Sequence, residues 1–383
     1  MIRSVRTITA ASYLAMLFLG VGNSLVGSAA RDIGLSATQI GIMLAIQNVG
    51  LTITVVLAGA LSDTHSKARI LFVGSLVLGG SFMTFFLVPG FWPNLVVMAL
   101  IGAGGGAYEG VTDAMLFDLH EARAGFHINI NHLFVTLGSA TIALYLLFLQ
   151  MRWRAAVVQS GLVVLALAVV FALVVLPAAR RGQASLGLKL RTIARSRLIA
   201  VLFLCAILSV GVELTTMGIL STFLAELRGY ATLTAKLGLV VFLAGVAGGR
   251  LLIGTLVPPH RVFRSILILF ALSSATFALL FLVDLGPLTL PAAFLAGVTL
   301  SSQLPLILTY AGSSFREMTG TVLGAVKVGI PVGGILVPLL ISAMTSTASF
   351  GIALAILPAG MLVGLLLLML AGREASPAAR ALA

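Results

Sequence analysis

Charge is what this chain has least of. Only 9% of its 383 residues are Asp, Glu, Lys or Arg, while 60% are hydrophobic. Soluble domains carry roughly 25% charge, so this composition excludes a chain that keeps its whole surface in water. Acids are the scarcer sign, 11 against 23 Lys and Arg, which leaves a net charge of +12. Such basicity would suit a nucleic-acid partner only if the bases shared one solvated face. Placed between the chain's long apolar runs, about 16 fall in loops on one side and about 5 on the other, the asymmetry of a membrane topology. No nucleic-acid partner is expected. Cysteine is nearly absent: Cys205 stands alone in an apolar run, which excludes a disulfide framework and a thiolate metal site. No metal or cofactor is expected. Tryptophan is confined to Trp92 and Trp153, both near the ends of apolar runs.

Long apolar runs are what the chain does have. A helix needs about 20 such residues to span hydrocarbon, and the sequence supplies twelve runs, near 8–30, 37–61, 69–88, 93–117, 126–149, 155–176, 198–225, 233–255, 262–283, 287–311, 319–344 and 348–371. The first comes after MIRSVRT and is too long for the apolar core of a signal peptide, so it reads as a membrane helix. Most connections are short. The exception, 177–197, holds Arg180, Arg181, Lys189, Arg191, Arg195 and Arg197 and no acid. It divides the chain into six-helix bundles at 1–176 and 198–383. Its basicity places it in the cytoplasm, and an even number of spans places both termini there too. The fold expected is an all-α membrane protein, twelve helices in two pseudo-symmetric halves.

Weak internal repetition agrees with that division. An offset of 195 carries Gly59 and Leu61 onto Gly254 and Leu256, His132 onto Lys327, and Gly138 onto Gly333. Repeated halves are a transporter architecture with the solute site between them, near the midplane. The polar residues inside the apolar runs point the same way. Glu109 and Asp113 are spaced i,i+4 in the stretch GAGGGAYEGVTDAMLF, and Asn129 and His132 i,i+3 in the next run, so each pair shares a helix face. Ionisable groups at bilayer depth are costly and face a bundle interior or a wet pathway. Glu109 is the candidate proton carrier, with Asp113 beside it or in a gate. Glu213 sits mid-span in the seventh run, and Lys327 lies about eight residues inside the eleventh, beyond snorkelling reach of an end. An ammonium there needs a carboxylate partner, Glu109 or Glu213, or an anionic ligand. The glycine-rich GAGGG has neither a preceding strand nor a following lysine, so it is no phosphate loop.

The loop GALSDTHSKAR after the second run resembles the signature G-x-L-x-D-R-x-G-R-R of the major facilitator superfamily, matched at Gly59, Leu61, Asp63 and Lys67. Within that superfamily the chain is similar to the fucose/glucose-type branch of sugar symporters. The likeness is carried by Gly102, Gly104, Glu109 and Asp113 in the fourth helix and by 128–132 through Gly138 in the fifth. It continues in Val210, Gly211 and Glu213, in Phe242, Gly245, Gly249 and Arg250, and along 302–341. Where that branch has tryptophans in the seventh and eighth helices, this chain has Ile219 and Leu243.

The resemblance implies a secondary transporter in the inner membrane, a monomer that moves a small polar solute by proton symport. A sugar or sugar derivative is the first substrate class, and an organic anion held by Lys327, imported or exported, is the second. A non-transporting receptor or assembly subunit of the same fold is the rival from another class; an enzyme is not expected. Glu109 and Asp113 are the coupling candidates. Asn23, Gln47, Asn129, His132, Glu213, Gln303 and Lys327 are the solute-binding candidates, and Asp63 and Arg250 the contacts of a cytoplasmic gate. The partners expected are protons, the solute and the bilayer.

Overall fold

A computed structural model describes residues 2–35, 37–148, 152–176, 186–345 and 347–372. Residues 177–185 of the expected linker and the tail from 373 lie outside them. The first six long helices are α1 Val5–Ile33, α2 Ala37–Ser62, α3 Lys67–Thr84, α4 Phe91–Leu119, α5 Ala124–Phe148 and α6 Trp153–Leu173. A short helix, α7 Leu186–Arg195, precedes α8 Arg197–Glu226, α9 Thr232–Leu256 and α10 Val262–Leu282. The last three spans are each divided: α11 Thr289–Ser301 with α12 Gln303–Ser314, α13 Thr319–Lys327 with α14 Gly329–Thr345, and α15 Phe350–Ala353 with α16 Ile356–Gly372. Among the described residues eleven spans are long and apolar enough to cross a membrane, and α5 is helical where the remaining run was expected.

The side chains show why these helices need lipid. On α2, Val49, Ile53 and Leu57, one turn apart, are each more than half exposed. Such a stripe would be a liability in water and is the normal outer face of a helix in hydrocarbon. Association between helices cannot then come from hiding apolar surface from water, so it relies on close backbone approach. Glycine supplies it. A Cβ at Gly102 would stand 1.9 Å from the Gln47 carbonyl oxygen, and one at Gly106 2.6 Å from that of Leu51, so α4 packs against α2 backbone to backbone.

The chain forms two compact units, one of Met1–Glu121, Ile130–Lys189 and Phe315–Ala325, the other of Ala122–Asn129, Leu190–Ser314 and Val326–Ala383. In the first, α4 packs along α2, α3 and α1, and α6 along α3. The start of α13 belongs to this unit as well. In the second, α9 packs along α11, α14 along α8, and α10 along α11 and α16.

The three divided spans have one cause. Pro305, Pro331 and Pro358 each occupy the third position of the helix after the break. A proline has no N–H for the carbonyl four residues back and its ring crowds that carbonyl. The carbonyls affected are therefore Ser301, Lys327 and Leu354, each at the interruption. That of Leu354 is met by Leu357 N at 3.1 Å in a tighter turn. That of Ser301 is met by the side chain of Arg250. Pro338 stays inside α14 without a break.

Candidate functional site

Glu109 and Asp113 sit one turn apart on α4, 5% and 0% exposed. Beside them Gly106 and Gly110 let the backbone of α2 approach α4 at Leu51 and Val55. Across from them on α5, His132 Nε2 is 2.9 Å from one oxygen of Asp113, and Asn131 Nδ2 donates to the other at 2.7 Å. Asn131 also donates to the Thr112 hydroxyl at 3.0 Å. A carboxylate oxygen of Glu109, one of Asp113 and a ring nitrogen of His132 all lie within 4.8 Å of one another. This is the one His/Cys/Asp/Glu grouping among the described residues with the makeup of a cation site. Its imidazole can both donate and accept, so the same three groups can hold and hand on a proton. Asn131 is not singled out by its sequence pattern; the signal is its place beside His132. Asn129 takes no part, because its Nδ2 turns back to the Gly125 carbonyl of its own helix at 2.8 Å.

A second charged arrangement lies within the other unit. Arg250 of α9 donates through one terminal nitrogen to Glu213 of α8 at 2.9 Å and through Nε to the Ser301 carbonyl at 3.2 Å. That carbonyl is the acceptor which Pro305 deprives of its helical donor. One guanidinium thus neutralises a carboxylate and satisfies the interrupted helix, a use of its fixed fork that lysine could not copy. Glu213 was expected to meet Lys327 or a solute; its described partner is Arg250. Arg250 was expected in a gate together with Asp63; its contacts with Glu213 and Ser301 lie inside this unit.

Two of the other candidates tie neighbouring helices together. Gln303 directs Nε2 to Ser273 at 2.8 Å and to the Leu269 carbonyl at 3.3 Å, joining α12 to α10. Gln47 donates to the Gly22 carbonyl at 3.1 Å, joining α2 to α1. Asn23 is exposed. Lys327 is 1% exposed and is the last residue of α13, at the interruption of the eleventh span.

Asp63, 7% exposed, accepts from the backbone N–H of Gly320 at 2.8 Å and of Thr321 at 3.1 Å, and from the Thr321 hydroxyl. Those amides are the second and third of α13, whose N–H groups have no partner inside the helix. A negative carboxylate there also meets the positive end of the helix dipole. The approach depends on glycine: a Cβ at Gly59 would come 2.7 Å from the Gly320 carbonyl, and one at Gly320 1.9 Å from the Ser62 hydroxyl oxygen. Asp63→Ala is expected to cost about 1–2 kcal/mol of stability, and Asp63→Asn, which keeps an acceptor, less. Thermal unfolding of the two variants checks this; equal melting temperatures for Asp63→Ala and wild type would refute the cap.

Beside this contact the first unit has a cavity of 1340 Å³ whose walls include Asp63, Lys67, Asp118, Glu121, Arg316 and Phe171. Its charges are largely matched, Lys67 to Asp118 at 2.9 Å and Arg316 to Glu121. His120, at the end of α4, meets the Thr9 hydroxyl at 2.7 Å, and burial holds its imidazole below the usual histidine range.

Residues 8–338 match the family model described as Major Facilitator Superfamily. No curated protein matches the chain. Among solved structures it is similar to the transporter FucP in the outward conformation, with a TM-score of 0.79 at 18% identity over 96% of this chain and 99% of that one. Another FucP structure is described as the E. coli fucose:proton symporter. The proton:xylose symporter XylE bound to 6-bromo-6-deoxy-D-glucose gives 0.74 at 12% identity over 95% of each chain. The human organic anion transporter MFSD10 gives 0.77 at 15% identity over 96% and 100%. At these identities the likeness concerns the fold.

Proposed function

The chain belongs to the major facilitator superfamily and is a multi-pass membrane transporter, not an enzyme, and from that premise we propose that it moves a small polar solute by proton-coupled alternating access. The solute favoured is a sugar or sugar derivative, as in the similar proteins described as sugar:proton symporters. The observation that carries the reading is the buried grouping of Glu109, Asp113 and His132. Water reaches such a place in only part of a transport cycle, so a proton taken up on one side is released on the other. In this reading Asp63 on the amino end of α13 is a latch that must open in each cycle. The protein works as a monomer in the inner membrane, with both termini and the basic linker in the cytoplasm.

A second reading is favoured by one residue. Lys327 places an ammonium at the interruption of a span, and a broken membrane helix is where solute and ion sites are built. An organic anion would find its counter-charge there, and one similar structure is of an organic anion transporter.

Thermal unfolding of the purified protein with sugars, sugar acids and simple carboxylates separates the readings. A ligand at 100 times its Kd stabilises by about 2.7 kcal/mol. Stabilisation by neutral sugars, followed by their counterflow in proteoliposomes, is the expected result. Stabilisation by carboxylates alone selects the second reading. Binding without counterflow of any solute selects the non-transporting receptor and overturns both.

A further inference from the structure

The grouping of Glu109, Asp113 and His132 has more donor atoms than a proton needs. Two carboxylate oxygens and a ring nitrogen lie within 4.8 Å of one another, on side chains that are 5%, 0% and 6% exposed. An ion of the zinc class takes such donors at about 2.0–2.2 Å, which sets any two of them about 3.4 Å apart around a tetrahedron. His132 Nε2 and one oxygen of Asp113 are already 2.9 Å apart. From 4.8 Å, the widest separation would have to close by no more than about 1.4 Å, which side-chain rotation can supply.

A second observation points to the same ion. Thr112 gives its hydroxyl proton to the Tyr108 carbonyl at 2.8 Å, and a carboxylate only accepts, so the Asn131 atom that meets Thr112 and Asp113 is its NH2 group. That fixes the orientation of the amide. Its Oδ1 is buried and meets no donor among the described residues, on a side chain that is 0% exposed. The two polar atoms of an amide are about 2.3 Å apart, so Oδ1 lies within about 5 Å of the Asp113 carboxylate. A buried acceptor without a donor is costly, and a cation in the grouping, or a water bound to that cation, would satisfy it. We propose that Glu109, Asp113 and His132 bind a divalent transition-metal ion of the zinc class, with Asn131 orienting Asp113 through Nδ2 and facing the ion or its bound water through Oδ1. Such hydrogen bonds to a ligating carboxylate are the usual support of a metal site. The imidazole favours Zn²⁺ or Co²⁺ over Ca²⁺ and Mg²⁺, which prefer oxygen throughout. The lack of cysteine excluded only a thiolate site, and this one uses none. The inference does not depend on which solute is carried or on how its transport is driven.

The test uses full-length purified protein without a histidine tag, in a parent that carries His65→Ala and His260→Ala to remove two exposed imidazoles. Titration with Co²⁺ is expected to give the visible absorption of a four- or five-coordinate ion at one equivalent per chain. Zn²⁺ should displace it, and an excess of Ca²⁺ or Mg²⁺ should not. Glu109→Gln keeps the size of the side chain and removes a ligand, so affinity should fall by more than the 10–100-fold typical of an outer partner. Asn131→Leu should fall within that range, and His132→Gln should shift the absorption band as nitrogen leaves the ion. Zn²⁺ should raise the melting temperature of the parent and not that of Glu109→Gln, and the metal-free melting curve of each variant reports whether it is folded. No binding to the parent, a cobalt spectrum unchanged in both Glu109→Gln and His132→Gln, or Ca²⁺ bound as tightly as Co²⁺ would overturn the proposal. The assay contains no solute and no pH gradient, so such a failure is separate from any failure of proton coupling.

Discussion

Glu109→Gln is expected to abolish accumulation of solute against its gradient and to leave exchange of solute across vesicles at equal pH nearly unchanged. The substitution keeps the size and packing of a residue that is 5% exposed, while an amide can neither take up nor release a proton. Only the coupling between solute and proton is removed, and the solute can still cross in either direction down its own gradient. Proteoliposomes with an imposed pH difference measure the first property, and equilibrium exchange measures the second. Undiminished proton-driven accumulation by the variant would reject Glu109 as the carrier. Asp113→Asn is the informative contrast. Asp113 accepts from Asn131 and contacts His132, so its replacement disturbs packing between α4 and α5 as well as charge, and both activities should fall together.

The largest loss of stability is expected at Glu213. Replacing it by Leu strands the Arg250 guanidinium, whose side chain is only 9% exposed. Breaking a buried pair from one side costs roughly 3–5 kcal/mol, whereas replacing both partners by apolar residues is often nearly neutral. Glu213→Leu with Arg250→Met should therefore recover most of the loss, and such non-additivity is the signature of a direct pair. Recovery should stop short, because Arg250 also serves the Ser301 carbonyl, and an unmet buried acceptor costs about 1–3 kcal/mol. Adding Pro305→Ala gives the backbone back the N–H that Ser301 lacks, and stability should rise again. Thermal unfolding of the single, double and triple variants measures the series. If the two single losses simply add in the double variant, the pair is not a stabilising unit.

The amino-acid sequence does not choose the partners. Glu213 and Arg250 were both legible as ionisable groups in apolar runs, but the pairing was not, because Lys327 was an equally good cation by composition. The neighbour is chosen by which helices pack, and that is a property of shape. A proline is visible in the sequence but its effect is not: Pro331 and Pro305 divide their spans while Pro338 does not. A break persists where the freed carbonyl finds another donor, and for Ser301 that donor comes from Arg250. Asn129 and Asn131 are both fully buried, and only the packing of α5 on α4 says which amide meets Asp113.

What the amino-acid sequence determined by itself is the membrane fold and the positions of its spans, since transfer of apolar runs of about 20 residues out of water is decided locally, residue by residue. It also determined that Glu109, Asp113, His132, Glu213 and Lys327 are buried for a reason, because charge at that depth is never free of cost. The tertiary structure decided the partners: Asp63 with the amino end of α13, 257 residues away, Arg250 with both Glu213 and an orphaned carbonyl, and Asp113 with Asn131 and His132. Hydrogen bonds and ion pairs act over about 3 Å, and no local pattern in a chain specifies which distant backbone its glycines will let that close.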